Sequence, residues 1–336
     1  MKNKYFEGID GLRFYVFLLI LINHTGVWYK SQGHTFFFML SGFLIGYSSF
    51  NDISKYGVFS LKRYLLRRIL RTFPLYYLIL LFCGGCYLIL DTINIQIDLG
   101  NYWSYFLFLQ NYFRDDGLFI LKNLWAMAVT EQLYLAWGLL IFFLQKRIVT
   151  YIVLLLLFFV AAAFILNIVS SKLYENTLIY AGIYLLGAYG GLLFHRQDRL
   201  LILLGKLKKW QGSLLLIFSL LLIIVGLNAT HISFVLHEYI LAFSFFWTIL
   251  VICYSRTQFK FLLNHAIVKY LGRISYGLYC YHALVITAIT HFFFYFKILY
   301  SSIFLFSTSL IFTILIAVIS YEFYEKKFLK MKRSLR

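Results

Sequence analysis

The sequence predicts an all-α, polytopic integral membrane protein with about ten transmembrane helices. Of its 336 residues, 62% are apolar and 13% are charged, whereas soluble domains are about half apolar and about a quarter charged. A helix needs about 20 apolar residues to cross a hydrocarbon core of ~30 Å. Ten stretches approach that length: residues 11–29, 34–50, 73–90, 122–144, 148–170, 177–194, 212–228, 234–254, 274–293 and 301–324.

The basic residues give these spans an orientation. The net charge is +18, but the 31 Lys and Arg residues are unevenly distributed. Five lie in or beside the loops that follow odd-numbered spans: Lys30, Arg114, Lys122, Lys172 and Lys297. Apart from Arg13 in span 1, the others lie in the N-terminal segment, the remaining loops and the C-terminal tail. Because basic loops stay in the cytoplasm, we expect both termini there. Nucleic acid is not needed to explain the charge, since no recognition motif accompanies it.

We expect one membrane domain over residues 1–336, with no separate soluble domain. The first apolar run lacks a small-residue cleavage site, so span 1 should stay in the mature protein. The sequence "CGGC" at residues 83–86 has the spacing of a redox motif. Because it lies inside a predicted span, small buried packing residues are the favoured interpretation over a redox or metal role.

Arg13 and His24 stand inside the otherwise apolar first span. Their separation of eleven residues is close to three helical turns, so they share one face, ~16 Å apart along the axis. Ionisable side chains within a membrane are costly unless they face a polar cavity, and they indicate a functional site. Two alternatives remain open: Arg13 could extend to lipid phosphates, and a neutral His24 could hydrogen-bond to a neighbouring helix.

The longest predicted cytoplasmic loop, residues 51–72, is strongly basic. Its cationic side chains recur at helical spacing ahead of Pro74, which is expected to start span 3. They are Lys62, Arg63, Arg67, Arg68 and Arg71. Guanidinium groups suit phosphate ligands, while the alternative is that these charges only fix topology and contact lipid headgroups.

An ordered set of segments resembles the acyltransferase-3 family of membrane O-acyltransferases. "IDGLRFYVFLLILINH" is similar to the opening signature of that family, and "FFFMLSGFLIG" at 36–46 resembles its second span. "RRILRTFPLYY" at 67–77 and "LWAMAVTEQLYL" at 124–135 resemble its basic segment and its Trp-and-Glu segment. "ISYGLYCYHALV" at 274–285 and "YEFYEKKFL" at 321–329 are similar to its closing segments. The match runs from residue 9 to about 329 in the expected order.

The resemblance implies a multi-pass enzyme of the bacterial cytoplasmic membrane. Its expected reaction moves an acyl group, most simply acetyl, from cytoplasmic acyl-CoA to a hydroxyl of a cell-envelope glycan or glycolipid. Acetyl-CoA or another acyl-CoA is then a co-substrate, and no permanently bound cofactor is expected. Arg13, Arg67, Arg68 and Arg71 would bind the donor.

His24 is the best candidate for the base that acyl transfer to a hydroxyl requires, since imidazole titrates near neutral pH. Glu131 would orient His24 or the acceptor hydroxyl, although a purely structural carboxylate is the alternative. Ser41, Trp125 and Tyr134 are possible donors to the tetrahedral oxyanion. Two weaker candidates, more often structural than catalytic, are His282 and Glu325.

Some features depart from the family pattern or favour other classes. The family often has an acidic residue before the aromatic run of span 2, where this chain has His34 and Thr35. "HEYIL" at 237–241 lacks the second histidine of a zinc protease motif, so no metal is expected. The alternative function is a transporter or flippase of a glycolipid or other polar substrate, which would also carry charges at the midplane. That class predicts internal repeats and broken helices, and neither is evident.

Overall fold

The structure is a computed structural model that describes residues 6, 8–28, 33–92, 101–113, 119–169, 174–228, 232–255 and 257–334. The regular elements of this part of the chain are all helices. The first seven are α1 (Ile9–His24), α2 (Gly33–Tyr56), α3 (Leu61–Thr92), α4 (Tyr102–Phe106), α5 (Trp125–Leu144), α6 (Ile148–Val169) and α7 (Thr177–Arg196). The next four are α8 (Arg199–Lys206), α9 (Lys209–Asn228), α10 (Phe234–Tyr254) and α11 (Lys260–Asn264). The last four are α12 (Ala266–Arg273), α13 (Ser275–Tyr295), α14 (Ser302–Ser320) and α15 (Lys326–Ser334).

Seven helical runs among the described residues are long and apolar enough to cross a membrane. They are Leu61–Tyr87, Leu121–Val169, Thr177–Arg196, Lys209–Asn228, Phe234–Tyr254, Ser275–Tyr295 and Ser302–Lys332. The all-helical, polytopic class is therefore confirmed, whereas the count of ten and the cytoplasmic termini stay predictions. The run from Leu121 to Val169 contains two predicted spans, α5 and α6. Predicted spans 1 and 2 correspond to α1, which has only 16 residues, and to α2, whose apolar stretch is diluted by Gly, Ser, His and Thr.

The predicted basic loop is largely helical. α2 continues to Tyr56 and α3 begins at Leu61, so Arg67, Arg68 and Arg71 lie on the first three turns of a 32-residue helix. The expectation that Pro74 starts a span is wrong, because Pro74 lies inside α3. Proline is tolerated within membrane helices where neighbouring groups satisfy the freed backbone carbonyl. The basic segment and the third span are thus one continuous element.

The chain divides into two compact units. Unit 1 comprises Met1–Asn23, Trp28–Phe59 and Leu139–Arg273, and unit 2 comprises His24–Val27, Ser60–Gly138 and Ile274–Arg336. In unit 2, an apolar cluster joins α3, α5 and α13 and includes Leu75, Tyr76, Ile79, Met127 and Cys280. This cluster fixes the faces of three helices that carry candidate site residues.

Unit 1 is organised around direct backbone contact between α2 and α7. Each helix carries two glycines four residues apart: Gly42 and Gly46 on α2, and Gly187 and Gly191 on α7. A Cβ atom added at Gly42 would lie 2.0 Å from the carbonyl oxygen of Tyr184, and one at Gly187 would lie 2.0 Å from that of Met39. Pairs of small residues at this spacing let membrane helices approach closely.

The two helices run parallel. Gly42 meets Tyr184 and Gly46 meets Ala188, so both chains advance in the same direction along the contact. Residues at equal distances from the glycines therefore face one another at each end of the pair. This arrangement decides which polar side chains of α2 and α7 can meet.

We predict that Gly42→Ala destabilises the protein by ~1–3 kcal/mol, because the added methyl group collides with backbone rather than with a movable side chain. The control is Gly85→Ala in α3, where an added Cβ has nothing within 4 Å. That substitution should be neutral or slightly stabilising, since Ala forms helix better than Gly. Thermal unfolding of the detergent-purified variants measures both effects. Equal midpoints for the two variants would show that the glycine contact does not limit stability.

Candidate active site

His24 ends α1 with its side chain exposed, and its imidazole ring lies against that of His282. The ring centroids are 5.1 Å apart and the planes are inclined by 61°, an edge-on arrangement. His282 lies on α13 and is fully buried. Both histidines belong to unit 2. The structure thus pairs the strongest sequence candidate with one of the two weakest.

Backbone and side-chain hydrogen bonds hold His282 in one orientation. Its Nδ1 lies 2.5 Å from the carbonyl oxygen of Tyr279, and a carbonyl only accepts, so Nδ1 donates. The Tyr279 hydroxyl donates to the carbonyl oxygen of Asn123 at 2.6 Å, and the Asn123 side-chain amide donates back to the Tyr279 carbonyl at 3.3 Å. In a neutral His282 ring, Nε2 is therefore the acceptor nitrogen.

Two arginines of α3, Arg68 and Arg71, interact with residues of α5. The Arg68 guanidinium lies over the Tyr134 ring, 5.6 Å from its centroid. The Tyr134 backbone is held in turn by the Tyr64 hydroxyl, which donates to the Tyr134 carbonyl oxygen at 2.9 Å. The side chains of Arg67, Arg68 and Arg71 are all half-buried. A guanidinium over an aromatic ring gains cation–π attraction that restricts its position, and its forked donors suit bidentate binding of phosphate.

Glu131 belongs to this arginine group. A side-chain hydrogen bond joins its carboxylate to Thr72, and it interacts electrostatically with Arg68 and Arg71. Its Oε1 atom is buried and has no hydrogen-bond partner among the described residues. The sequence predicts that Glu131 orients His24 or an acceptor hydroxyl, and this role stays a prediction. In the structure Glu131 interacts with Thr72, Arg68 and Arg71 of α3, while the ring beside His24 is that of His282.

Glu325 adds a second carboxylate near Arg71. It ends the π-helix Tyr321–Glu325, is buried, and interacts electrostatically with Arg71. The Ser320 hydroxyl donates to Glu325 Oε1 at 3.2 Å, and Tyr281 donates to Ser320 at 3.0 Å. π-Helical turns are frequent at functional sites. Arg71 therefore interacts with two carboxylates, one from α5 and one from the π-helix.

The remaining predicted residues occupy other places. Arg13 lies in unit 1, where it pairs with Asp10 at 3.7 Å, and Asp10 also pairs with Arg273 at 3.7 Å. Ser41 is half-buried on α2 in unit 1, and Trp125 is buried at the first position of α5 in unit 2. A shared donor role for Arg13 and the α3 arginines stays a prediction.

A buried carboxylate that the sequence did not predict at this position lies beside His34 and Thr35. Glu238 of α10 is fully buried, accepts a hydrogen bond from the Thr35 hydroxyl, and has Oε2 3.6 Å from His34 Nε2. A carboxylate thus lies beside the start of α2, contributed by a residue 203 positions away from Thr35. No spacing in the sequence signals that contact. No group of three or more His, Cys, Asp or Glu among the described residues could hold a metal ion.

Comparison with known proteins identifies the family. A family model described as an acyltransferase domain, that of the acyltransferase-3 family, matches residues 6–322. The chain belongs to the acyltransferase-3 family. No solved structure matches it.

Relatives of the chain are named as O-acetyltransferases. The protein named "Putative O-acetyltransferase" of Staphylococcus aureus (strain COL) is 26% identical over 98% of this chain and 58% of its own length. The peptidoglycan O-acetyltransferase OatA of Listeria monocytogenes (serovar 1/2a, strain EGD-e) is 31% identical over 43% of this chain and 25% of its own length. The chain therefore spans 58% of the length of its Staphylococcus relative.

We predict that Arg71→Ala lowers the free energy of unfolding by about 2 kcal/mol more than Arg67→Ala, because the buried Glu325 and the half-buried Glu131 lose a shared countercharge. Adding Glu325→Gln to Arg71→Ala should recover part of the loss. Denaturant or thermal unfolding of the single and double variants gives the coupling energy. Strictly additive effects would mean that Arg71 and Glu325 do not interact.

Proposed function

We propose that the protein is a membrane O-acyltransferase that moves an acyl group, most simply acetyl, from cytoplasmic acyl-CoA to a hydroxyl of an extracytoplasmic or membrane-linked glycan. The observation that carries the proposal is the exposed His24 imidazole against the buried, fixed His282 ring, in a chain of the acyltransferase-3 family. The names of the relatives support O-acetylation, and peptidoglycan is the first acceptor to test. The enzyme would act in the bacterial cytoplasmic membrane.

In this mechanism His24 is the general base. It takes the proton of the acceptor hydroxyl as the oxygen attacks the thioester carbonyl, because a neutral alcohol is a poor nucleophile. This attack forms the C–O bond and a tetrahedral intermediate, which collapses to the ester as the carbonyl re-forms and the C–S bond breaks. The proton on His24 then passes to the departing thiolate, which leaves as coenzyme A. Trp125 and Tyr134, which belong to unit 2 as His24 does, are candidate donors to the oxyanion, and the same role for Ser41 of unit 1 stays a prediction from the sequence.

His282 acts on His24 as a positioning residue. Its Nδ1 donates to the Tyr279 carbonyl oxygen, so its Nε2 is the nitrogen that can accept a hydrogen bond from a neighbouring donor. A buried ring fixed in this way can select the tautomer and orientation of the adjacent base, as the third member of a triad does. Glu131, which contacts the arginines, would act on the donor side instead.

The α3 arginines would bind the phosphates of the donor. Arg68 is held in place by Tyr134, so little rotational freedom is lost when a phosphate binds. At Arg71 a phosphate must compete with the carboxylates of Glu131 and Glu325. Arg67 completes the donor set of α3, a donor role for Arg13 of unit 1 stays a separate prediction from the sequence, and the lipid bilayer is the remaining partner.

We predict that His24→Ala and His24→Gln each lower acyl transfer by ~10²–10⁴-fold, the usual contribution of a positioned base. His282→Ala should lower kcat by a smaller factor and leave the KM for acyl-CoA nearly unchanged, because it acts through His24. The matched control is His291→Ala, since His291 lies on the same helix and its Nδ1 also contacts a backbone carbonyl, that of Thr287 at 2.8 Å.

The assay is acetyl transfer to peptidoglycan and other envelope glycans, read by mass spectrometry of glycan from a deletion strain that carries each variant, and the kcat and KM come from transfer by the purified variants at varied acyl-CoA concentration. Membrane insertion and thermal unfolding are measured in parallel. Wild-type transfer by folded His24→Ala would remove His24 from the mechanism. Equal effects of His282→Ala and His291→Ala would remove the positioning role of His282.

We predict that Arg68→Ala weakens acyl-CoA binding by about ten- to a hundred-fold, the effect of losing one charge-assisted contact of ~1.5–3 kcal/mol. Arg68→Lys should recover only part, because an ammonium keeps the charge without the planar fork. The control Lys62→Ala removes an exposed cation of the same helix. Direct binding to purified protein is measured with acyl-CoA and with a coenzyme that lacks the ribose 3′-phosphate. Unchanged affinity in Arg68→Ala would assign that arginine to lipid or topology instead.

A further inference from the structure

Three polar side chains meet where α2 and α7 end. The Ser54 hydroxyl oxygen lies 2.9 Å from His195 Nε2, and His195 Nδ1 lies 2.8 Å from the side-chain oxygen of Asn51. Ser54 is exposed, and the other two side chains are half-buried. All three residues belong to unit 1, whereas the histidine pair His24 and His282 belongs to unit 2. The proposed acyltransferase mechanism uses none of them.

The hydrogen-bond directions are those of an activated serine. An amide oxygen only accepts, so His195 Nδ1 donates to Asn51 and Nε2 carries the lone pair. Nε2 therefore accepts from the Ser54 hydroxyl, which is the relation that raises the nucleophilicity of a serine. A nucleophile within hydrogen-bond reach of a base that a third group orients is the signature of covalent catalysis.

The fold holds this geometry from both sides. Asn51 and Ser54 are three residues apart and lie on one face of α2. The parallel glycine contact of α2 with α7 sets the distance of that face from His195. The buried Phe50 ring packs against the imidazole, with centroids 6.1 Å apart. The adjacent Arg196 is exposed and interacts electrostatically with His195, which places a guanidinium beside the group.

We propose that Ser54, His195 and Asn51 form a nucleophilic triad that accepts an acyl group from a thioester. His195 Nε2 takes the Ser54 proton as the serine oxygen attacks the thioester carbonyl. The C–S bond breaks, an ester forms on Ser54, and the proton leaves with the thiolate as free thiol. Water, activated by the same imidazole, later hydrolyses the ester to a carboxylic acid and restores the serine.

The ends of α2 and α7 lie on the cytoplasmic side in the predicted topology, where acyl thioesters are available. The choice of coenzyme A thioester as the acyl source rests on the proposed function, but the triad chemistry applies to any activated acyl ester. An exposed serine at a helix end leaves room for a large leaving group. The exposed Arg196 provides charge for phosphates of that leaving group.

The test incubates the purified full chain with acetyl-CoA and, separately, with p-nitrophenyl acetate, and then maps acetylated peptides by mass spectrometry. We expect a burst of one acetyl group per chain, located on Ser54. Ser54→Ala should abolish it, His195→Gln should lower its rate by ~10²–10⁴-fold, and Asn51→Ala should lower it by about ten-fold or more. The matched control Ser48→Ala, on the same helix, should label as wild type does.

Two further variants keep the outcome interpretable. If Ser54→Ala does not fold, Ser54→Cys keeps a nucleophile at that position, and its acetyl group should become a thioester that hydroxylamine cleaves at neutral pH. In His24→Ala, acetylation of Ser54 should persist while glycan acetylation is lost. Unmodified Ser54 in wild-type protein under both reagents overturns the triad and leaves the His24 mechanism intact. Glycan acetylation that survives in His24→Ala overturns that mechanism and leaves the triad intact.

Discussion

Direct backbone contact between α2 and α7 is the constraint on which unit 1 depends. Where four glycines replace side chains, the two helices touch along their carbonyl groups, and no other residue type fits at Gly42 or Gly187 without displacing backbone. Because the helices run parallel, this contact positions one pair of polar side chains at each end of the two helices. His34 meets Tyr180 near the start of both helices, at 3.4 Å between Nε2 and the hydroxyl, and Ser54 meets His195 near their ends. One apolar packing interface thus fixes the geometry of polar groups at both of its ends.

Unit 2 is governed by the cost of burying charge in an apolar setting. A charged side chain inside a membrane protein requires a countercharge or hydrogen bonds. Arg68 and Arg71 meet that requirement with Glu131, and Arg71 also with Glu325. These carboxylates compete with an anionic ligand for the arginines. A phosphate therefore binds only if its contacts with the guanidinium groups are more favourable than those of the carboxylates. Affinity for an anionic donor and stability of the unit are therefore linked through shared groups.

The sequence predicts elements whose signal is local. Long apolar runs predict the helices, and an Arg and a His within one such run predict that α1 is functional. It does not predict contacts between distant helices, since Ser54 and His195 are 141 residues apart and Thr35 and Glu238 are 203 apart. Helical spacing assigns a residue to a face of its helix but does not identify the helix that packs against that face, so the sequence did not predict that Glu131 interacts with Arg68 and Arg71. The division of Leu121–Val169 into α5 and α6 depends on a short turn in which Gln145 has a φ of 48°.

The π-helix at Tyr321–Glu325 has a consequence for how the C-terminal segment can change. A π turn contains one residue more than an α turn of the same height, so it shifts the angular phase of everything after it by ~100°. With that extra residue, Glu325 faces Ser320, the Tyr324 hydroxyl donates to the Pro74 carbonyl at 3.3 Å, and α15 packs against α3. Without it, the same amino acids would present a different side of α15 to α3. Insertion or deletion of one residue in this segment would therefore rotate α15 relative to α3, whereas a substitution that keeps the length would not.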